Sequence, residues 1–167
     1  ATGNADMQQV GAIKFKLTPN YSGTPVNTKT LFTITKENND RINRITAVHK
    51  ITTGHLEVEI RDQAESVFIT KDFISGWNPT AGVAYEMEMS FDFTAGVTNF
   101  FLDGVKQGTT ETGTGVRSSD IGIVRIGGTH TGGDNADFTM EDFIVFDSSQ
   151  HTSSYTPGYT LVERKYE

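Results

Sequence analysis

The sequence predicts an all-β fold, two antiparallel sheets packed as a jelly-roll sandwich. Three observations carry that expectation. Short stretches alternate apolar and polar side chains with the two-residue period of a half-buried strand. Clusters of Gly, Asn, Asp and Pro punctuate them at intervals of about 8 to 15 residues, and no sustained helical run intervenes. The composition agrees, with 24 Thr and 17 Gly but only four Met among 167 residues, since Thr suits the pleated sheet and Gly the tight turn.

The first alternating stretch is VGAIKFKLTP, in which Ile13, Phe15 and Leu17 share one face and Lys14, Lys16 and Thr18 the other, before Pro19-Asn20 ends it. TKTLFTITK then points Phe32 and Ile34 inward, with Leu31, Thr33 and Thr35 opposite. INRITAVHKI, residues 42–51, and HLEVEIR flank a turn at Gly54 and read as a hairpin. In HLEVEIR, Leu56, Val58 and Ile60 oppose Glu57, Glu59 and Arg61. A slip of one residue would bury two carboxylates there, so the register is firm. ESVFIT supplies a short strand, and KDFISGWNPTAG reads as a longer connection carrying the only Trp.

VAYEMEMSFD is the strongest amphipathic strand, with Tyr85, Met87, Met89 and Phe91 on one face and Glu86, Glu88 and Ser90 on a solvated one. In NFFLDGVKQG, Asp103-Gly104 is the dipeptide that accepts positive φ at both central positions of a type I′ hairpin turn. TTETGTGVRSSD is a polar excursion. IGIVRIGG is a compact strand with Ile121, Ile123 and Arg125 opposing Val124 and Ile126, and THTGGDNAD is a mobile or ligand-binding loop. DFTMEDFIVFD, with Phe138, Met140 and the run Phe143 to Phe146, reads as a central and nearly wholly buried strand. The closing QHTSSYTPGYTLVERKYE is less periodic, with a final strand at Tyr159 to Glu163. Ten to twelve strands therefore fill one domain over residues 11–159, with 1–10 as linker or lead-in and 160–167 as a strand or tail packed on it. No repeat is long enough for a solenoid.

A net charge of −7 lacks the clustered Lys and Arg with which a nucleic-acid binder neutralises phosphates. The acidic excess also weighs against strongly anionic polysaccharides. Without Cys there is no disulfide, thiolate metal site or cysteine nucleophile. No apolar run approaches the roughly 18 residues of a membrane span, so no membrane insertion is expected. ATGNADMQQ carries no targeting pattern. The chain reads as a mature domain or a piece excised from something longer.

The constellation GW…GVAYEMEMSFDF…G…NFFLDGV, followed by IVRIGG and DFTMEDFIVFD, resembles the laminin-G-like or pentraxin-like branch of the concanavalin A-like lectin/glucanase superfamily. The resemblance spans residues 11–159 and rests on fold markers such as Ser90-Phe91-Asp92, Gly96 and Asp103-Gly104. It implies a concanavalin A-like jelly roll. Members bind glycans, mediate cell adhesion as lectin or laminin G-like domains, use calcium, or in some branches cleave polysaccharides, so function is read from individual residues.

A retaining glycosidase sets two carboxylates about 5 Å apart in a cleft. The nearest patterns are Glu57-Val58-Glu59 and Glu86-Met87-Glu88, which lack a third acidic residue in register and read as solvated sheet faces. A lyase of this architecture needs Tyr, His and Arg or Gln converging on an acidic sugar. Tyr85, His49, His55, Arg61 and Arg125 are present, without the arginine-rich and Gln-x-His strands that such enzymes carry. For metal, Asp134, Asn135 and Asp137 cluster hard oxygens suited to Ca²⁺, and the same residues also read as ordinary turn formers. His49, His55, His130 and His151 have no short ligand spacing, which disfavours zinc.

Carbohydrate modules combine an aromatic platform with amide and hydroxyl groups, because sugar faces are apolar and their edges polar. The candidates are Trp77 with Asn78, Tyr21 with Asn20, and Tyr155. Trp77 also reads as a core cover. Asn20-Tyr21-Ser22 has the form of an N-glycosylation sequon. The expectation is a non-catalytic recognition or attachment module that binds a glycan or glycoprotein, with no certain cofactor and Ca²⁺ in the Asp134 loop as the candidate. A protein-binding or assembly domain that joins protein subunits is the alternative and a polysaccharide-degrading enzyme the third. The setting would be extracellular, cell-surface or virion-associated.

Overall fold

The computed structural model describes residues 10–35, 43–62, 67–108, 110–112, 123–128, 137–146 and 150–157. They form β1 (Val10–Pro19), β2 (Lys29–Thr35), β3 (Ile45–His49), β4 (Leu56–Arg61), β5 (Val67–Ile74), β6 (Tyr85–Asp92), β7 (Val97–Leu102), β8 (Val105–Lys106), β9 (Glu111–Thr112), β10 (Ile123–Ile126) and β11 (Phe138–Phe146). Sheet A runs β11-β1-β6-β7-β8, with β9 also paired to β7, and sheet B runs β10-β2-β3-β4-β5. Every pairing is antiparallel. The expected all-β, two-sheet sandwich of jelly-roll type is the fold observed. The expected strand at Tyr159 to Glu163, the lead-in 1–9, Ile121 and His130 lie outside the described residues.

The inward faces follow the alternation read from the sequence. Ile13, Phe15 and Leu17 of β1 meet Phe32 and Ile34 of β2, Leu56, Val58 and Ile60 of β4, and Met87, Met89 and Phe91 of β6 in one core. Phe15 and Phe32 meet edge to face at 5.4 Å, and Phe143 reaches Phe32 at 5.5 Å from β11. Truncating such a ring costs about 3–5 kcal/mol, so these three rings hold the sheets together where β1, β2 and β11 converge. The Asp103-Gly104 turn has positive φ at both residues, 49° and 74°, as type I′ geometry demands. Asp103 anchors it further, accepting the Glu86 N–H on Oδ1 at 2.8 Å and donating its own N–H to the Glu86 carbonyl.

Three expectations require correction. β5 continues to Ile74, so KDFI is strand rather than the start of a connection, because it pairs along the whole of β4. β11 is not central. Among the described residues it forms the edge of sheet A, paired with β1, with a mix of half-buried and exposed residues. Its register shifts opposite Lys14 to Lys16 and Asp142 adopts a φ of 51°, a bulge of the kind that protects an edge from further pairing. Finally, Glu86, Glu88 and Ser90 are not solvated but buried, because residues 150–157 lie across the outer face of sheet A.

Candidate functional site

Sheet B carries a charged outer face. Antiparallel register sets Arg125 of β10 opposite Thr33 of β2, Thr33 opposite Thr46 of β3, and Thr46 opposite Glu59 of β4, so all four share that face. Arg44, just before β3, and Arg61 of β4 fall on the same side. Arg44 donates from Nη2 to Glu59 Oε1 at 2.6 Å, and Arg61 donates from Nε to the same oxygen at 2.8 Å. Arg125 reaches Thr35 Oγ1 at 3.3 Å. The floor is polar and fully buried at Thr33 and Thr35, both 0% exposed. The hydroxyls of Thr33 and Thr46 find no partner among the described residues.

Two guanidiniums thus hold one carboxylate, and a third, Arg125, lies on the same face across β2 and β3. Burial, the largest single influence, pushes the Glu59 carboxyl up, but the hydrogen bonds and charges of Arg61 and Arg44 together outweigh it and hold it below its ordinary value. Glu59 stays ionised and fixes both arginines in place, Arg61 through Nε and Nη2 together. Along the same face Lys50 pairs with Glu57 at 3.0 Å and His55 with Asp72 at 2.8 Å. Both Glu57 and Glu59 are therefore engaged by cations.

The outer face of sheet A is built differently. Glu88 is 0% exposed and accepts from His151 Nδ1 at 2.8 and 2.9 Å on its two oxygens. Glu86 pairs with Lys14 Nζ at 2.8 Å and accepts the Tyr155 hydroxyl at 3.1 Å. The His151 and Tyr155 rings stack at 3.7 Å. Burial, then the charges and hydrogen bonds of Glu88 and Glu86, push the Tyr155 hydroxyl far above its ordinary value, so it acts as a neutral donor. Tyr155 is thus a strap residue, and its ring is spent on His151 and Phe101.

The other predicted sugar contacts meet at one end of the sandwich. Gly23 donates to the Pro79 carbonyl and Ala81 to Ser22 Oγ, which ties the Asn20–Tyr21 loop to the Trp77–Asn78 loop. Asn20 and Asn78 are exposed. Trp77 is 4% exposed and packs on His49 and Tyr85, so the core-covering role matches its placement and no open ring face remains for stacking. His49 donates from Nε2 to the Gly54 carbonyl, and its Nδ1 lies 2.8 Å from the Tyr21 hydroxyl. Burial lowers the His49 pKa despite the backbone hydrogen bonds at Gly54 and Trp77, which makes it a neutral core histidine. The lyase set does not converge, since His49 and Tyr85 face the core while Arg61 and Arg125 lie on the outer side of sheet B.

Of the metal candidates, Asp134 and Asn135 lie outside the described residues. Asp137 sits 3.5 Å from the Lys29 ammonium, a resident cation. Among the described residues no group of three or more acidic, His or Cys side chains is placed to hold a metal. The arginine cluster was only partly legible. The Glu59-x-Arg61 spacing on one strand face is readable in LEVEIR, whereas Arg44 and Arg125 join it only through the order β10-β2-β3-β4.

No family model matches the sequence, and no curated protein does. Solved structures do match. A leech intramolecular trans-sialidase, solved with 2,7-anhydro-Neu5Ac, is 14% identical at a TM-score of 0.65, covering 87% of this chain and 22% of that one. A heptameric SAP-like pentraxin from Limulus polyphemus is 18% identical at 0.59, over 87% and 66%. The CBM40 domain of the Ruminococcus gnavus IT-sialidase, bound to α2,3-sialyllactose, is 16% identical at 0.60, over 87% and 80%. The chain thus spans about a fifth of the leech enzyme and four fifths of the CBM40 chain. At these identities the likeness is one of fold. It is the two-sheet antiparallel sandwich seen in a trans-sialidase, a pentraxin and a CBM40 domain alike, and it singles out no laminin-G-like or pentraxin-like branch.

Proposed function

We propose that this chain is a non-catalytic carbohydrate-binding module that takes an acidic sugar, in the first place a sialoside, on the outer face of sheet B. One observation carries the reading: three arginines share that face, Arg44 and Arg61 paired with Glu59 and Arg125 farther along it beside Thr35, in a protein whose net charge is −7. A guanidinium fork binds a carboxylate through paired charge-assisted hydrogen bonds. The buried threonines give the face a rigid polar floor. The overall acidity that disfavours a polyanion is here reversed locally, which suits one sugar carboxylate rather than a run of them. The sialosides held by the CBM40 and trans-sialidase relatives support the same choice of ligand.

The non-catalytic part of the reading rests on the carboxylates. Glu86 and Glu88 lie under the strap, and Glu57 and Glu59 are held by Lys50, Arg44 and Arg61, so neither pair flanks an open cleft as glycoside hydrolysis needs. The reading requires no cation. It makes residues 11–159 one module of a longer protein acting outside the cell, where sialosides are displayed. Calorimetric titration with α2,3-sialyllactose tests it. Saturable heat with the wild-type chain and its loss in Arg61→Ala and Arg125→Ala, at unchanged circular dichroism, is the expected result. Equal binding of lactose, or binding indifferent to both arginines, would remove it.

A further inference from the structure

The segment after β11 crosses sheet A without joining it as a strand. Residues 150–157 form no ladder. Their hold is a set of separate contacts to the outer face. The Gln150 and His151 N–H groups donate to Ser90 Oγ at 2.9 and 3.3 Å, Lys106 Nζ donates to the Thr152 carbonyl at 3.2 Å, and Ser154 Oγ accepts the Lys106 N–H at 3.0 Å. The Tyr155 N–H donates to the Gly104 carbonyl at 2.8 Å. His151 and Tyr155 supply the two side chains that reach Glu88 and Glu86.

What lies beneath is mainly polar. Lys14, Glu86, Glu88, Ser90 and Asn99 are all buried, Ala12 and Phe101 are buried apolar residues among them, and Ile144 and Phe146 of β11 share the same face by register. Opening an apolar layer costs the hydrophobic energy of its surface, whereas opening this one returns two carboxylates, an ammonium, a hydroxyl and an amide to water, which offsets much of the lost pairing. The strap itself is half-exposed at His151 and Tyr155 and exposed at Thr152, Ser153, Ser154, Thr156 and Pro157. Few apolar contacts and exposed hydrogen bonds mark segments that open below the global unfolding energy.

We propose that residues 150–157 are a latch that opens as a unit while both sheets stay folded, baring Glu88, beside the Lys14–Glu86 pair that stays within the sheet, as the site for a cationic partner. His151 is the built-in occupant of that site. A cationic side chain of another polypeptide, stacked against an aromatic neighbour as His151 is against Tyr155, has the chemistry to replace it. The core beneath is the other face of the same strands, packed by Met87, Met89 and Phe91, and it remains closed throughout.

Native-state hydrogen exchange and carbodiimide labelling of the full chain test this. The amides of Gln150, His151 and Tyr155 should exchange faster than those of β6 and β7, independently of denaturant at low concentration. His151→Ala removes one charge-assisted contact and should speed them by roughly tenfold or more, leaving β6 and β7 amides unchanged. Glu88 should become carbodiimide-reactive in the same variant, and an added Lys-Tyr-rich peptide should suppress that labelling. If the strap amides exchange only together with β6, or Glu88 stays unreactive while they exchange freely, there is no latch. If labelling rises but the basic peptide leaves it unchanged, the cationic partner is wrong. Should His151→Ala fail to fold, the wild-type exchange profile alone decides the first point.

Discussion

The two outer faces start from the same sequence pattern and end in opposite states. β4 and β6 both alternate glutamates outward against an apolar inner row, Glu57 and Glu59 on one and Glu86 and Glu88 on the other. On sheet B the Glu59 side chain remains 25% exposed and meets arginines of its own sheet. On sheet A the Glu88 side chain is fully buried and meets a histidine 63 residues further along the chain. Strand alternation therefore fixes which way a carboxylate points, while a distant non-periodic segment decides whether water reaches it.

The sharpest way to break this contrast is to exchange the readouts. The double substitution Arg61→Ala and Arg125→Ala should lower sialyllactose affinity by about 100-fold or more, from the loss of two charge-assisted contacts, with strap exchange unmoved. His151→Ala should do the reverse. A variant of one face that moves the other's readout would show the two faces to be one coupled system.

A smaller effect is expected at Gly104. A Cβ there would run into the Tyr155 carbonyl oxygen at a φ of +74°, so Gly104→Ala strains the turn and displaces the strap together. A loss of about 1–3 kcal/mol in denaturant unfolding is expected, with faster exchange at Tyr155. Gly82→Ala, at a φ of +77° with nothing within 4 Å, separates backbone strain from the strap clash, because only the former applies there.

Acid should act on sheet B through Glu59. Its folded pKa lies below the ordinary 4.5, so its contribution is fully present above that value and is lost as pH falls through the lower folded one. Unfolding midpoints measured from pH 6 downward should drop less steeply in Glu59→Gln than in the wild type. The smallest effect is expected at the loop end, where Asn20→Ala and Asn78→Ala should change sialyllactose affinity less than about twofold, since both stand apart from the arginine face. A large loss there would move the sugar site to the loops.

Much of the fold was legible because it rests on local pattern. Leu56-Glu57-Val58-Glu59-Ile60 places its own residues, and Asp103-Gly104 makes its own turn. Other features were not local. Trp77 reads as either a core cover or a platform, and what decides between them is His49 and Tyr85 arriving from two other strands. The FIVF run of β11 reads as a buried centre, yet apolar content alone cannot tell an edge strand that covers Phe15 and Phe32 from a central one. The strap has no period to read, since His151, Ser154 and Tyr155 are chosen for the individual groups they meet. Glu59 and Arg61 were visible as a pair, whereas Arg44 and Arg125 needed the strand order.

The polar layer between sheet A and its strap has a calorimetric consequence. Hydrating apolar surface raises the heat capacity of the unfolded chain and hydrating polar surface lowers it by about 0.26 cal/K/mol per Å². Lys14, Glu86, Glu88, Ser90 and Asn99 fill a buried layer on the outer face of sheet A, where an antiparallel sheet commonly meets water. The heat-capacity increment of unfolding should fall below the usual value of about 12–15 cal/mol/K per residue. Such a protein has a flatter stability curve, keeping more of its stability in the cold and giving it up more gradually on heating.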